Sequence, residues 1–293
     1  MPFTLLILAG GLGTRYQGDK QLADLGPNGE FLLEYSIFDA INAGFDHVVI
    51  VSTEKFIPLL KRQLTYFENR VKLVFINQYD HDPGSPNYRI APWGTAHAVL
   101  AAMNNITDAF MVINADDYYG ADSYCKAIKM FKSQVDNPGY GLLSYKLSKT
   151  LSPFGPVSRG ICHTTLRKLD RIIEHTQIIN KNGRITAMES GLNDLDGEEQ
   201  VSMNCWLLHA DLFADLSTFF NDFYKEHRNA AQAECRLPDF IQSFLDKRVE
   251  FICYPVEEDW FGLTHPEDYN WCQSILNLKI DNGCYPNALN PFL

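Results

Sequence analysis

The first 120 residues alternate short apolar runs with longer amphipathic stretches, and this alternation restricts the fold more than any other feature of the sequence. Short apolar runs are typical of strands buried on both faces, and the longer stretches have helical periodicity. The pattern predicts strands at 5–8, 48–51, 72–76 and 110–113, and helices at 32–42, 57–66 and 96–103. Strands joined by helices indicate an α/β fold with three layers and a Rossmann-like, mostly parallel sheet, in which ligands bind at the carboxyl ends of the strands.

The pattern changes from about residue 140 to strand-like segments separated by charged turns, with an acidic stretch at 193–200. We interpret this region as a mixed-sheet half laid against the first. Helices at 212–224, 239–245 and 266–276 and a strand at 249–255 complete it. No repeat, low-complexity segment or linker interrupts residues 1–293, which predicts a single domain with an irregular tail at 277–293.

The charge and the cysteines exclude several classes of protein. A net charge of −11 argues against a long nucleic-acid track, because phosphate backbones are held by broad basic surfaces. The first apolar run meets a glycine turn after a few residues and has no basic leader, so we expect a strand instead of a signal peptide or membrane span. Seven cysteines without a CxxC pair indicate reduced thiols. We therefore expect a cytoplasmic protein without nucleic-acid or membrane partners.

A glycine-rich loop follows the first predicted strand directly and is the strongest functional signal. Glycines let the backbone approach a phosphate closely, and consecutive amides can point at its oxygens. The spacing excludes a dinucleotide loop, which needs glycine at Tyr16, and a P-loop, which needs lysine at Asp19. The candidate nucleotide-binding residues of this loop are Leu8, Ala9, Gly10, Gly11, Gly13 and Thr14.

Two cations, Arg15 and Lys20, accompany the loop in an otherwise acidic chain. Arginine offers a planar fork to phosphate oxygens, and lysine offers a point charge. Fixed cations are needed where two anionic phosphates react, since two unit charges about 4 Å apart repel by on the order of 1 to 4 kcal/mol. The alternative is a tight turn between strand and helix with two solvated basic residues.

The loop with its arginine and lysine resembles the signature of the sugar-phosphate nucleotidyltransferases, which include glucose-1-phosphate thymidylyltransferase and the uridylyltransferases. Relatives carry proline before the lysine, where this chain has Asp19. The resemblance implies a nucleotidyltransferase or glycosyltransferase-A-like fold in which the loop wraps a triphosphate. It also implies that Arg15 and Lys20 are catalytic and bind phosphates in the transition state.

A second match, at residues 92–99, resembles the family's base-binding turn and implies that Gly94 and Thr95 contact the base. Thr95 could instead only cap the following helix. Relatives read the base with glutamine where Pro92 stands, so the identity of the base stays open. We interpret His97 as a packed helix residue, because attack by a phosphate oxygen requires no general base.

Asp116 is the candidate metal ligand, because it follows the predicted strand at 110–113 and can project into the crevice. Magnesium takes one or two carboxylates together with substrate phosphates, and the resemblance implies this role for Asp116. An acidic turn that caps the next helix is the alternative, and it explains Asp117 and Asp122 better.

The resemblance is more diffuse in the second half, where it implies that Gly160, Glu174 and Asn204 bind the acceptor. A surface glutamate in a strand and a loop asparagine are the structural alternatives. The segment at 260–268 resembles the one that precedes the family's late helix and commonly bears a second metal carboxylate. Gly262 and Thr264 occupy the candidate positions, which leaves Asp259 as the substitute ligand.

The resemblance covers roughly residues 3–275. It predicts a nucleotide-binding half at 1–135 and an acceptor-binding half at 136–276. The expected reaction transfers a nucleoside monophosphate from a triphosphate to a sugar 1-phosphate with Mg²⁺ and releases pyrophosphate, as in nucleotide-sugar biosynthesis. Phosphocholine or a polyol phosphate are alternative acceptors. A nucleotide-sugar-dependent glycosyltransferase and a catalytically silent nucleotide-binding subunit are the rival functions, and the oligomeric state, including a homo-oligomer, is left open.

Overall fold

A computed structural model describes residues 2–10, 23–86, 89, 92–133, 139–187 and 192–291. The helices in these ranges are α1 (Leu32–Ala43), α2 (Ile57–Leu64), α3 (Thr95–Ala101), α4 (Ala121–Ser133), α5 (Phe213–His227), α6 (Leu237–Asp246) and α7 (Asp268–Asp281). The strands are β1 (Thr4–Leu8), β2 (His47–Ser52), β3 (Lys72–Asn77), β4 (Ala109–Asn114), β5 (Asp117–Tyr118), β6 (Tyr140–Lys146), β7 (Val157–Thr165), β8 (Lys168–Lys181), β9 (Arg184–Ala187), β10 (Leu192–Leu195), β11 (Gln200–His209), β12 (Phe251–Val256) and β13 (Phe261–Gly262).

The first four strands pair in parallel in the order β3-β2-β1-β4, as the alternating pattern predicts. Successive side chains of β1 point to opposite faces of this sheet. Leu5 and Ile7 pack in the core with α1, α2 and α4, whereas Leu6 and Leu8 pack in the core with α3, α5 and α6. Because helices cover both faces, these strands are apolar throughout, and the three layers match the prediction.

Apart from β5 and β13, which form a separate antiparallel pair, the remaining strands extend this sheet instead of forming a half laid against it. β11 pairs antiparallel with β4, with Trp206 opposite Val112, and β6 pairs antiparallel with β11. β12 then lies parallel to β6. The predicted parallel pairing is found in the first four strands, but the sheet as a whole is mixed, and the fold is a mixed α/β fold with a central sheet. Periodicity identifies a strand, but it does not identify the strand with which it pairs.

Five strands of the second half pair around a closed circuit. β7 pairs with both β8 and β11, β8 meets β12, and β6 lies between β12 and β11. Neither β7 nor α4 was predicted from the sequence. The circuit places Gly160 of β7 between Glu174 of β8 and Ser202 of β11, so these three residues lie side by side across the sheet.

The C-terminal region contains more helix and is more closely packed than the irregular tail that the sequence predicts. α7 extends to Asp281, five residues into the predicted tail that begins at residue 277. Tyr285 then donates a hydrogen bond of 2.7 Å to the Asp39 carboxylate of α1, and its hydroxyl lies 2.8 Å from that of Tyr118. Leu289 is buried in the same cluster. Among the described helices, none combines the length and the apolar character that a bilayer span requires.

Candidate active site

A cleft of about 520 Å³ lies where β1 and β4 end, a volume suited to a small-molecule ligand. Leu8 and Asp116 form its edge at the strand ends, and Thr95 lines it from the start of α3. The opposite wall comes from β7, β8 and β11, and the segment before α6 and the segment around β13 close the sides. The other described lining residues are Asn114, Asp117, Ser158, Arg159, Gly160, Ile172, Glu174, Ser202, Met203, Asn204, Glu234, Arg236, Pro238, Asp239, Trp260, Leu263 and Thr264.

The two aspartates after β4 have different surroundings. Asp117 is buried, and its Oδ2 accepts hydrogen bonds from Asn114 Nδ2 at 2.8 Å and from the Tyr119 hydroxyl at 3.1 Å. Asp116 is less buried, and its backbone carbonyl accepts a bond from the Leu263 amide at 3.3 Å. The backbone at Asp116 is thus fixed by pairing, while its side chain lines the cleft.

A chain of amides continues from this strand end to the wall formed by β7, β8 and β11. Asn204 Nδ2 donates to Asn114 Oδ1 at 2.8 Å, and Asn204 Oδ1 accepts from Trp206 Nε1 at 2.9 Å. Asn204 has a positive φ of 58°, a conformation that asparagine tolerates better than most residues. The network couples the end of β4 to β11, and it holds the Asn204 side chain in place at the cleft.

The wall formed by β7, β8 and β11 is open at Gly160. A Cβ atom at this position would lie 2.6 Å from Ile172 Cγ2 and 3.5 Å from Glu174 Oε2. Any larger residue would therefore press on Ile172 and crowd the carboxylate. Gly160 leaves room for a ligand beside Glu174, and the three predicted acceptor residues Gly160, Glu174 and Asn204 all line the same cleft as Asp116.

Two arginines line the described part of the cleft, and they have opposite environments. Arg159 is 8% exposed, donates to the carbonyl oxygens of Thr150 and Ser158, and packs 4.9 Å over the Trp260 ring. Burial lowers the pKa of Arg159 to about 10, so it stays protonated at neutral pH. Arg236 has a side chain that is 59% exposed and forms two hydrogen bonds with Asp239, at 2.9 and 3.0 Å.

The predicted base-binding turn is anchored to the segment before α6. The Cys235 amide donates to the Trp93 carbonyl at 2.8 Å, and the Cys235 carbonyl accepts from Ala96 at 3.0 Å. A Cβ atom on Gly94 would lie 2.4 Å from the Cys235 carbonyl oxygen, so the close approach requires glycine. The Thr95 hydroxyl accepts from the Leu237 amide at 2.9 Å.

Thr95 therefore does not cap its own helix, and the alternative that it serves only as a helix cap is wrong. Gly94 is the N-cap residue of α3, and Thr95 is the first helical residue. His97 is buried, stacks on Phe220 at 4.7 Å, and has Nε2 2.9 Å from the His81 carbonyl oxygen. It is a packed helix residue, as the sequence indicates.

Asp259 is not brought to the cleft. Its side chain is 64% exposed and lies 3.6 Å from the Lys149 ammonium group. Thr264 does line the cleft, and its backbone amide donates to Asp268 Oδ2 at 2.8 Å. In the glycine loop, Leu8, Ala9 and Gly10 are described, and the Ala9 amide donates to the Val51 carbonyl of β2 at 2.8 Å. The predicted residues Gly11, Gly13, Thr14, Arg15 and Lys20 lie outside the described residues.

The donors at the cleft edge fit a magnesium ion that is bound largely through substrate. Within the described ranges, no three Asp, Glu, His or Cys side chains gather into a metal-binding group. Mg²⁺ does not require such a cage, because it keeps several waters and takes one or two carboxylates with phosphate oxygens. Asp116, with Asp117 behind it, supplies carboxylate chemistry of that kind at the end of β4.

Several lining residues were not singled out from the sequence, in particular Arg159, Glu234, Arg236 and Asp239. Arg159 is adjacent to the predicted Gly160, but a buried arginine cannot be distinguished from a surface one by its neighbours in the sequence. The charged pair Glu234 and Arg236 precedes a helix with proline in its first turn, which marks a helix start. That signal locates the helix, but it does not show that the segment reaches a cleft formed by residues more than a hundred positions earlier.

Comparison with known proteins agrees with this architecture. The family model for nucleotidyl transferase matches residues 4–175, more than half of the chain. The chain therefore belongs to the nucleotidyl transferase family. This match confirms the family predicted from the glycine loop, and it confirms the prediction that the chain is a nucleotidyltransferase. A search of curated protein sequences finds no significant match.

Solved structures with the same fold have little sequence identity to this chain. One, assigned as a glucose-1-phosphate thymidylyltransferase from Bacillus anthracis and crystallised with sucrose, is 14% identical with a TM-score of 0.64 and 93% and 94% coverage of this chain and that one. The inositol-1-phosphate CTP transferase from T. maritima is 16% identical with a TM-score of 0.59 and 92% and 94% coverage. The CTP:phosphocholine cytidylyltransferase from Streptococcus pneumoniae is 15% identical with a TM-score of 0.56 and 94% and 100% coverage.

Proposed function

We propose that this chain, as a single domain, transfers a nucleoside monophosphate from a nucleoside triphosphate to a sugar 1-phosphate and releases pyrophosphate. The observation that carries the proposal is the composition of the cleft. Asp116 at the end of β4 and Thr95 of the turn before α3 line it on one side, and Gly160 and Glu174 line it on the other. Groups suited to a metal-bound triphosphate thus face groups suited to a hydroxylated acceptor across one cavity.

The proposed chemistry is an in-line displacement at the α-phosphorus. A phosphate oxygen of the acceptor forms the new P–O bond, the bond from the α-phosphorus to the bridging oxygen breaks, and its electron pair leaves with pyrophosphate. The acceptor phosphate is already ionised, so no general base is required. Catalysis then consists of positioning and of stabilising negative charge.

Each group of residues has one part in this proposal. The glycine-loop amides hold the triphosphate, while Arg15 and Lys20 stabilise charge on the α-phosphate and on the leaving group. Asp116 would hold a Mg²⁺ ion, which supplies Lewis-acid neutralisation of phosphate charge when bound. Asp259 is not part of the proposed ligand set, because its exposed carboxylate lies beside Lys149. Glu174 accepts hydrogen bonds from acceptor hydroxyls, and Asn204 provides a further polar contact.

The direct test is a pyrophosphate-release screen of the common nucleoside triphosphates against sugar phosphates, alditol phosphates and phosphocholine, with magnesium. We expect release with one triphosphate and a sugar 1-phosphate. Release only with phosphocholine or with a polyol phosphate would keep the reaction and change the acceptor. Release of a nucleoside diphosphate from a nucleotide sugar, without pyrophosphate from any pair, would replace the proposal with glycosyl transfer. The same screen addresses the silent-subunit alternative, since no turnover with any pair would favour it.

A further inference from the structure

We infer that Arg236 binds the anionic phosphate of the acceptor and that Asp239 competes with the acceptor for it. This inference rests on the proposed function and names the cation that recognises the second substrate. The described cleft residues include five carboxylates, Asp116, Asp117, Glu174, Glu234 and Asp239, and two cations, Arg159 and Arg236. A phosphate monoester entering this acidic wall needs a cation that can reach it.

Arg159 does not meet that need, because its guanidinium group is already used inside the protein. Nε and Nη2 donate to the Thr150 carbonyl, Nη1 donates to the Ser158 carbonyl at 2.8 Å, and the group packs against Trp260. Withdrawing Arg159 would leave two carbonyl oxygens without these donors. Arg236, in contrast, is largely exposed, and its fork of N–H donors bonds Asp239, an exposed side chain that can rotate away.

The backbone of Arg236 is fixed although its side chain is exposed. The residue before it, Cys235, exchanges two hydrogen bonds with Trp93 and Ala96. The residue after it, Leu237, donates to the Thr95 hydroxyl. The backbone on both sides of Arg236 is therefore hydrogen-bonded to the turn that we propose contacts the base. Arg236 lines the same cleft as Thr95 and Glu174, which we assign to the base and to the acceptor.

Asp239 holds the guanidinium group in the fork geometry that a phosphate also requires. Its two carboxylate oxygens accept from Nε and Nη2 of Arg236 at 2.9 and 3.0 Å. An exposed ion pair of this kind contributes little to stability, so an incoming phosphate can displace it. The displaced state must be populated before the acceptor binds, which reduces the apparent affinity for the acceptor by the fraction of molecules in that state. Asp239 thus orients the guanidinium group of Arg236, and it lowers the apparent affinity for the acceptor.

The test compares three variants of the full chain: Arg236→Gln, Asp239→Asn, and the control Arg228→Gln, which alters an exposed arginine outside the cleft. We expect Arg236→Gln to raise the acceptor KM by tenfold or more and to leave the triphosphate KM within about twofold. Asp239→Asn should lower the acceptor KM by about two- to fivefold, because it removes the competitor. Arg228→Gln should match the parent protein.

A purely structural ion pair at the start of α6 would give a different pattern. Both Arg236→Gln and Asp239→Asn would then lower the melting temperature slightly and leave both KM values unchanged, which overturns the inference. An equal rise in the KM of the triphosphate and of the acceptor in Arg236→Gln also overturns it, since the arginine would then serve the nucleotide.

Binding of inorganic phosphate separates this inference from the proposed function, because it requires no turnover. Calorimetric titration should show weaker phosphate binding in Arg236→Gln, by about tenfold, and tighter binding in Asp239→Asn. If the parent protein releases no pyrophosphate but shows this opposite pair of shifts, the anion site stands and the proposed reaction fails. If turnover is found and phosphate affinity does not change in either variant, the reaction stands and Arg236 is not its acceptor cation.

Discussion

The two halves of the molecule place their functional side chains in different ways. In the first half the candidates follow strands directly, as Asp116 follows β4 and the glycine loop follows β1. In the second half Gly160 and Glu174 lie within long strands, on a wall that exists only because β7, β8 and β11 are in register. Strand ends aim groups at a crevice and suit charge stabilisation, whereas a strand face presents a surface and suits recognition. Changes in the first half should therefore lower kcat, and changes in the second half should raise the acceptor KM.

The largest effect is expected from Lys20→Ala, which removes a cation from the glycine loop. We expect pyrophosphate release to fall at least a thousandfold, about 4 kcal/mol in the barrier, with the fold preserved. Single-turnover kinetics and circular dichroism measure the two quantities. Activity within about tenfold of the parent protein would show that the loop cation is not catalytic. The assignment of charge stabilisation to the first half would then be wrong.

Asp116→Asn should cause the next largest loss, about a hundredfold in kcat with a higher Mg²⁺ requirement, because the neutral amide is a poorer ligand. Asp259→Asn is the matched control, and we expect it to retain activity within about threefold since its carboxylate is exposed beside Lys149. The measurement is turnover as a function of Mg²⁺ concentration for both variants. The opposite ranking would place the metal at Asp259, outside the described cleft, and return Asp116 to a turn residue.

Glu174→Ala tests whether the second half serves recognition of the acceptor. A hydroxyl that loses a charged hydrogen-bond partner loses about 1.5 to 3 kcal/mol, so the acceptor KM should rise about ten- to hundredfold. The KM of the triphosphate and kcat at saturating acceptor should change little. Glu198→Ala, an exposed glutamate outside the cleft, is the control. If kcat falls instead of KM rising, the strand face also takes part in charge stabilisation.

The smallest effect concerns stability and not activity. Burial raises the pKa of Glu34 on α1 to about 7 from its ordinary value of 4.5, so the folded protein keeps this carboxyl protonated at pH 6. Its stabilisation is complete below about pH 4.5 and is lost as the pH rises to about 7, because the unfolded chain releases the proton first. The free energy of unfolding of the parent protein relative to Glu34→Gln should fall by on the order of 1 to 3 kcal/mol over that range.

Denaturant titrations at several pH values measure this difference. Glu68→Gln, an exposed substitution in the same half, serves as the control and should follow the parent protein. A Glu34→Gln variant whose stability changes with pH in parallel with the parent protein would show that the carboxyl is ionised in the folded state.

The halves also differ in how much of each could be predicted. In the first half, local patterns identify β1, β2 and β4, because these strands are buried on both faces and the candidate residues follow β1 and β4 directly, although α4 was missed. In the second half β7 contains polar residues and was not recognised, and its pairing with β11 joins positions about 40 residues apart. Arg236 reaches the cleft through hydrogen bonds to residues 93–96, about 140 positions earlier. Such contacts depend on tertiary packing, which a local pattern does not encode.

The packing of Tyr285 and Leu289 against α1 has a consequence for the order of assembly. The bonds from Tyr285 to Asp39 and from Leu289 to Glu30 span 246 and 259 residues, among the longest sequence separations in the molecule. At a synthesis rate of about 5 to 20 residues per second, these partners are made more than ten seconds after α1. Tyr285 also meets Tyr118 of β5, which comes directly after Asp116 and Asp117 in the chain. The edge of the cleft is therefore completed late in biogenesis, after both walls have been synthesised.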